Sequence, residues 1–118
     1  MEIPTISADE LSRKIDGGDA FVLVDALAPM VYAHSHLPGA INIPPLTIDP
    51  ETISRRLPDR NAEIVVYCAN ARCDDSHHTA RRLQELGYTN LRHYAGGKDE
   101  WRERQLPLER AGKPFVPR

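Results

Sequence analysis

The 118-residue sequence lacks the features that point to a membrane or a nucleic acid as partner. No apolar run approaches the roughly 18 residues that a membrane-spanning helix needs. The first residues, Met-Glu-Ile-Pro-Thr-Ile-Ser, contain neither the basic region nor the apolar stretch of a secretory signal peptide. The formal net charge is only −2. We therefore expect no nucleic-acid and no membrane partner.

Cysteine is also scarce, with Cys68 and Cys73 as the two examples. Without a secretion signal we expect a cytoplasmic protein, in which cysteines are more often reactive or metal-binding than disulfide-bonded. A chain of this length can bury a core without disulfides. Because no repeat or linker divides it, the sequence predicts one domain over residues 1–118. Its core should span about 7–108, followed by a loosely packed tail at 109–118.

Short apolar runs alternate with amphipathic segments along the chain. Strands of a parallel sheet are predicted at 21–24, 40–43, 64–67 and 91–94, of which the segments 21–24 and 64–67 are fully apolar. Helices are predicted after the capping residues Ser7 and Asp49, over 29–33 and 76–86, and around Trp101. This alternation predicts an α/β fold, an open parallel sheet with helices on both faces. Ligands of such sheets bind beyond the carboxyl ends of the strands.

Cys68 occupies such a strand end. It follows the apolar run Ile64–Tyr67 and begins a polar stretch that leads into the helix predicted over 76–86. Loop N–H groups and the positive end of the helix dipole both favour a thiolate over a thiol. Most free cysteines are nevertheless small buried hydrophobic residues, so position alone leaves both roles open.

Several segments in order resemble the signatures of rhodanese-like sulfurtransferase domains, over about residues 7–108. The segments are Val24-Asp25, Tyr32, the stretch 36–44, the strand and nucleophile at 65–68, Leu86-Gly87-Tyr88, the stretch 94–97, and Glu100-Trp101. The resemblance implies a three-layer αβα rhodanese-like fold. It also implies that Cys68 accepts a sulfane sulfur as a persulfide and needs no cofactor. The expected partners are a small sulfur donor or a protein persulfide, and a thiol or cyanide-like acceptor.

A persulfide carries an anionic terminal sulfur, which needs N–H donors around it. The residues predicted to supply this backbone cradle, and so to bind substrate, are Ala69, Asn70, Ala71, Arg72, Cys73, Asp74 and Asp75. Arg72 is the candidate for a side-chain contact with the donor. Sulfur transfer to Cys68 would then follow the chemistry of thiol–disulfide exchange.

The loop departs from the family pattern, in which four residues separate the cysteine from an Arg-Ser pair. Matching Ser76 to that serine makes this loop two residues longer and puts Asp75 where arginine is common. Asp74 adds a second acid. Two acids near the thiolate would raise its pKa and repel a dianionic donor such as thiosulfate, unless they cap the helix. Phosphatase members of the family need an arginine at the position of Asp74, so phosphatase activity is disfavoured.

The sequence is compatible with two roles for Cys73. It is either a resolving thiol, which attacks a persulfide or sulfenate on Cys68, or a tolerated loop residue. A zinc site with His77 and His78 is disfavoured, because adjacent histidines on a helix point about 100° apart, and no metal is predicted. The alternatives to sulfurtransferase activity are a non-catalytic or regulatory binding module of the same fold, and a thiol redox switch using Cys68 and Cys73.

The remaining singled-out residues are predicted to be structural. Asp25 should accept hydrogen bonds at its strand end, and Trp101 should pack in the core. His36 should tie a loop to the sheet, whereas His34 should be exposed. His93 is predicted to be a surface residue from the alternation of its strand.

Overall fold

The computed structural model describes residues 2–110 and 113–115. The strands are β1 (Val22–Asp25), β2 (Ile41–Asn42), β3 (Ile64–Tyr67), β4 (Leu91–Tyr94), β5 (Leu108–Arg110) and β6 (Lys113–Phe115). The helices are α1 (Ala8–Asp16), α2 (Pro29–His34), α3 (Pro50–Arg56), α4 (Asp75–Glu85) and α5 (Gly97–Glu103), with a 3₁₀ turn at Pro45–Thr47. In this described part of the chain, every helix is too short and too polar to cross a bilayer.

The main sheet has the order β2-β1-β3-β4, and all of its pairings are parallel. Apolar side chains of α3 and α4 pack on one face, and those of α1 and α5 pack on the other. The predicted open parallel sheet with helices on both faces is therefore confirmed. The bounds predicted for β3 and β4 match those of the structure.

Strand β3 is central and buried along its whole length. Its side chains alternate between the two faces: Val66 and Cys68 belong to the α3/α4 side, and Val65 and Tyr67 belong to the α1/α5 side. The residue that follows β3 therefore carries its side chain towards α4. This alternation positions the candidate nucleophile.

Two helices begin at the predicted capping residues. The Ser7 hydroxyl accepts a hydrogen bond from the Glu10 N–H at 3.1 Å, and the Asp49 carboxylate accepts one from the Thr52 N–H at 2.9 Å. Pro50 occupies the first turn of α3, where a missing N–H costs nothing.

The end of the chain contributes a strand pair. β5 pairs antiparallel with β6, and the backbones of His36 and Glu109 exchange hydrogen bonds of 3.0 and 2.7 Å. Leu108 is fully buried in the α1/α5 side of the core. The tail predicted at 109–118 thus includes strand residues, and its residues 111, 112 and 116–118 lie outside the described part of the chain.

Candidate active site

Cys68 lies at the carboxyl end of β3, between β1 and β4, with 1% of its surface exposed. Its single S–H has two acceptors within reach, the Ser76 hydroxyl oxygen at 3.1 Å and the Cys73 carbonyl oxygen at 3.3 Å. The Asn70 carbonyl oxygen lies at 4.0 Å. The sulfur is therefore enclosed by the loop that follows it and by the first turn of α4.

Burial raises the pKa of the Cys68 thiol to about 11, and a hydrogen bond with the Cys73 side chain acts in the same direction. The hydroxyl and the backbone N–H of Ser76 both act in the opposite direction, because they stabilise the anion. With a pKa near 11, only about one molecule in ten thousand is a thiolate at neutral pH. The expected preference for thiolate is thus not met in this state, because burial outweighs the helix terminus.

Asn70 organises the loop through both ends of its amide. Its Nδ2 donates to Asp99 Oδ2 at 2.9 Å, and its Oδ1 accepts from the Arg72 N–H at 2.9 Å. Its carbonyl oxygen accepts from the Cys73 N–H at 3.1 Å. Two N–H groups of the predicted cradle are therefore engaged inside the loop, and the cradle stays a prediction that requires them to exchange partners.

The start of the loop rests on the turn between β4 and α5. The Lys98 N–H donates to the Cys68 carbonyl at 2.9 Å, and the Asp99 N–H donates to the Ala69 carbonyl at 2.8 Å. Gly97 has a φ of +66°, and a Cβ there would lie 2.6 Å from the Cys68 carbonyl oxygen. Only glycine allows the two backbones to approach this closely.

The outer part of the loop is open to solvent. Ala71, Arg72 and Asp74 are exposed, and the Arg72 guanidinium has no hydrogen bond or ion pair within residues 2–110 and 113–115. Arg72 lines a cavity of about 370 Å³ together with the acids Asp99, Glu100 and Glu103. Asp74 stands at the N-cap of α4 but makes no capping hydrogen bond, so the capping alternative is wrong for this residue.

His93 is buried, with 7% of its surface exposed, so the prediction of a surface residue is wrong. Its Nε2 lies 2.7 Å from the Ser76 hydroxyl, and its ring lies 4.3 Å from that of His77. Alternation failed here because β4 is covered on both faces, so neither set of its side chains faces solvent. Sequence reasoning also missed Ser76 as a contact of Cys68, although the helix start to which it belongs was predicted.

Asp25 serves as a hydrogen-bond acceptor at the end of β1, as predicted. Its carboxylate accepts from the Leu27 N–H and from the Tyr67 hydroxyl, each at 2.8 Å. Trp101 is buried in the core, and His34 is exposed, also as predicted.

His36 joins two parts of the chain through side chain and backbone. Its Nδ1 hydrogen-bonds with the Tyr32 carbonyl at 2.8 Å, and its backbone pairs with Glu109. His36 therefore does anchor its loop to a strand, but the strand is β5 and not a strand of the main sheet.

Comparison with known proteins gives a consistent result. The family model described as rhodanese-like domain matches residues 7–104. Thiosulfate sulfurtransferase PspE of Escherichia coli strain K12 is 37% identical over 76 residues, which cover 64% of this chain and 70% of PspE. Thiosulfate sulfurtransferase GlpE of Haemophilus influenzae strain PittEE is 33% identical over 90 residues, covering 76% of this chain and 81% of GlpE.

The solved structure of the human single-domain sulfurtransferase TSTD1 superposes with a TM-score of 0.68 at 28% identity, covering 86% of this chain and 97% of TSTD1. Some matched proteins are much longer, and the chain spans 23% and 44% of two of them.

Proposed function

Since the chain belongs to the rhodanese-like domain family and is a rhodanese-type sulfurtransferase, we propose that it carries a sulfane sulfur as a persulfide on Cys68 and passes it to a thiophilic acceptor. The observation that carries this proposal is the placement of Cys68. Its sulfur lies at the carboxyl end of the central strand, against the hydroxyl and the N–H of Ser76 at the start of α4.

The reaction has two displacement steps. In the first, the thiolate of Cys68 attacks the outer sulfur of the donor, a new S–S bond forms, and the donor leaves with the electron pair of its broken bond to sulfur. In the second, a thiolate or cyanide-like acceptor attacks the terminal sulfur of the persulfide, and the Cys68 thiolate is the leaving group. No cofactor takes part in either step.

The loop has to change when the persulfide forms. The Cys73 carbonyl oxygen lies 3.3 Å from the sulfur, within reach of its S–H, and the same carbonyl would repel an anionic sulfur. Arg72 and Cys73 must give up the hydrogen bonds that their N–H groups make to Asn70 before they can join the cradle. We assign the substrate-binding role to the loop 69–75 on this basis.

Charge around the loop bears on the identity of the donor. Asp74 is exposed, Asp75 is half-buried, and the neighbouring cavity is lined by further carboxylates. A dianion such as thiosulfate is repelled more strongly by this set than an uncharged donor or a protein-bound persulfide, which carries at most one charge at the reacting sulfur. The donor we favour is therefore a persulfide carried by a thiol compound or a protein, and the favoured acceptor is a thiol or a cyanide-like nucleophile.

The proposed compartment is the cytoplasm. Cys68 and Cys73 are both free in the structure, and the chemistry needs Cys68 as a thiol between turnovers. A reducing compartment keeps it in that form.

A thiol redox switch is a second candidate, because the Cys73 side chain acts on the Cys68 thiol and raises its pKa. Intact-protein mass spectrometry after treatment with a low-molecular-weight persulfide separates the candidates. Sulfur transfer predicts protein heavier by about 32 Da that returns to its original mass with cyanide. A disulfide predicts protein lighter by about 2 Da. Cys68→Ser protein is the control, and an unchanged wild-type mass would reject both candidates.

A further inference from the structure

A continuous chain of hydrogen bonds leads away from the nucleophile. The Cys68 sulfur lies 3.1 Å from the Ser76 hydroxyl oxygen, and that oxygen lies 2.7 Å from His93 Nε2. Sulfur and hydroxyl are both fully buried, so water does not compete for these contacts. The route away from the thiol therefore ends on an imidazole, the side chain best suited to proton exchange near neutral pH.

The imidazole is held in place and reaches solvent. The backbone of His93 is fixed by hydrogen bonds with Pro4 at 2.8 Å and with Ile6 at 3.1 Å. Its ring lines a cavity of about 450 Å³ between the N-terminal segment and α4. A proton that reaches His93 can thus leave through this cavity, away from the loop at which the sulfur donor binds.

We propose that His93 accepts the proton of the Cys68 thiol through the Ser76 hydroxyl as the sulfur donor is attacked. Ser76 touches the reacting sulfur and is the catalytic member of the pair, whereas His93 acts through it and is a positioning residue. The proposal rests on the proposed function for the role of Cys68 as nucleophile.

Two protons move along this chain. The S–H bond of Cys68 breaks and its proton passes to the Ser76 oxygen, while the hydroxyl proton of Ser76 passes to His93 Nε2. The products are a thiolate and an imidazolium, and the hydroxyl is regenerated. His93 must start as the tautomer protonated at Nδ1, which leaves the Nε2 lone pair free. When the acceptor later removes the sulfur, the proton returns to Cys68 by the same route.

The physical need for such a relay comes from the burial of the thiol. Burial lowers the pKa of His93, and the nearby His77 acts in the same direction, so His93 is neutral and able to accept at pH 7. Transfer from a thiol with a pKa near 11 is unfavourable before attack. It becomes favourable as the negative charge on sulfur is used in the new S–S bond, which is the setting for general-base catalysis.

Other titratable groups face this relay. His77 contacts the His93 ring, and Glu2, His78 and Arg81 line the same cavity. At the other end, the Cys73 thiol adjoins Cys68. Protonation of His93 removes the lone pair that accepts the thiol proton, and the nearby His77 lowers the pKa of His93, so the relay should fail on the acid side of neutrality.

The test measures the rate at which iodoacetamide, an uncharged electrophile, alkylates Cys68 between about pH 5 and pH 9. The parent protein is Cys73→Ser, in which Cys68 is the sole thiol. In that parent, the relay predicts an alkylation rate that levels off once His93 is neutral. His93→Gln should slow alkylation about 100-fold at pH 7 and remove that plateau, leaving a rate that rises roughly tenfold per pH unit as the thiol ionises. Ser76→Ala should have a similar effect, and Ser76→Thr, which restores a hydroxyl, should recover most of the rate.

The double variant distinguishes a relay from two separate effects. If His93 acts through Ser76, His93→Gln in the Ser76→Ala background has no further effect. Effects that multiply, an unchanged rate in His93→Gln, or a plateau that persists without the imidazole would each overturn the proposal. Should His93→Gln fail to fold, equal rates in Ser76→Ala and Ser76→Thr give the same rejection.

Alkylation does not require the protein to carry sulfur. A failure of persulfide loading in the mass experiment would therefore reject the proposed function and leave the relay standing, whereas the kinetic outcomes above reject the relay alone.

Discussion

Replacing Gly97 with alanine should destabilise the domain and displace the loop that holds Cys68, whereas the same change at Gly18 should cost only backbone strain. The two glycines have nearly the same φ, +66° and +67°. A Cβ at Gly18 would meet nothing within 4 Å, but one at Gly97 would lie 2.6–2.8 Å from backbone atoms of Cys68 and Ala69. Gly18 is therefore a matched control for the left-handed conformation.

The magnitudes follow from these contacts. The left-handed conformation costs an alanine about 1–2 kcal/mol at either position. At Gly97 the backbone of the loop must also shift, and overpacking of this kind costs about 1–3 kcal/mol more. We expect Gly97→Ala to lower the free energy of unfolding by about 2–5 kcal/mol, and Gly18→Ala by about 1–2 kcal/mol.

Urea unfolding measures these differences, and thermal unfolding should give a shift of roughly 4 °C per kcal/mol for a domain of this size. Persulfide loading of the folded protein should be impaired in Gly97→Ala and normal in Gly18→Ala, because only Gly97 lies against the carbonyls of Cys68 and Ala69. Equal destabilisation by the two changes, or normal loading in Gly97→Ala, would refute the argument that close backbone approach fixes the loop.

Three further predictions concern the loop itself. Cys68→Ser should abolish sulfur transfer and leave the fold intact, since a hydroxyl is neither a thiolate nor a sulfur carrier. If the variant kept cyanide:thiosulfate activity near that of the wild type, Cys68 would be excluded as the nucleophile. The double variant Asp74→Asn, Asp75→Asn should turn over thiosulfate roughly tenfold faster, since one charge at 5–10 Å contributes about 1–3 kcal/mol at an effective dielectric near 20. Unchanged kinetics would mean that the two acids do not act on the donor. Mild peroxide should form a reversible disulfide between Cys68 and Cys73, and in Cys73→Ser the same treatment should oxidise Cys68 to sulfinic acid. Peptide maps without a disulfide-linked peptide would reject the role of Cys73 as a resolving thiol.

The positions of several strands and helices could be predicted from the sequence. The run Ile64–Tyr67 is short and fully apolar, so both its position as a strand and its burial could be predicted. The pair of Asp49 followed by Pro50 predicts the start of a helix. In these segments, local sequence and tertiary structure agree.

The site itself depends on contacts between distant segments, which periodicity does not report. His93 is buried because α4 covers that face of β4, and no residue near it in sequence indicates this. The thiol of Cys68 was expected to ionise from its place before a helix, but its pKa depends on how completely the loop excludes water. Gly97 belongs to the stretch 94–97 that resembles the family signature, but its contact with the loop arises only in the folded chain.

The hydrogen bonds from the first turn of α5 to the carbonyls of Cys68 and Ala69 separate two tasks within one short loop. They fix the nucleophile to the sheet, whatever the residues beyond position 69 do. Length and charge in the outer half can therefore vary without moving the sulfur, which accounts for a loop that is two residues longer than the family pattern in an otherwise regular frame. Exchanging the segment 70–75 between members of this family should accordingly transfer donor preference while leaving the reacting atom in place.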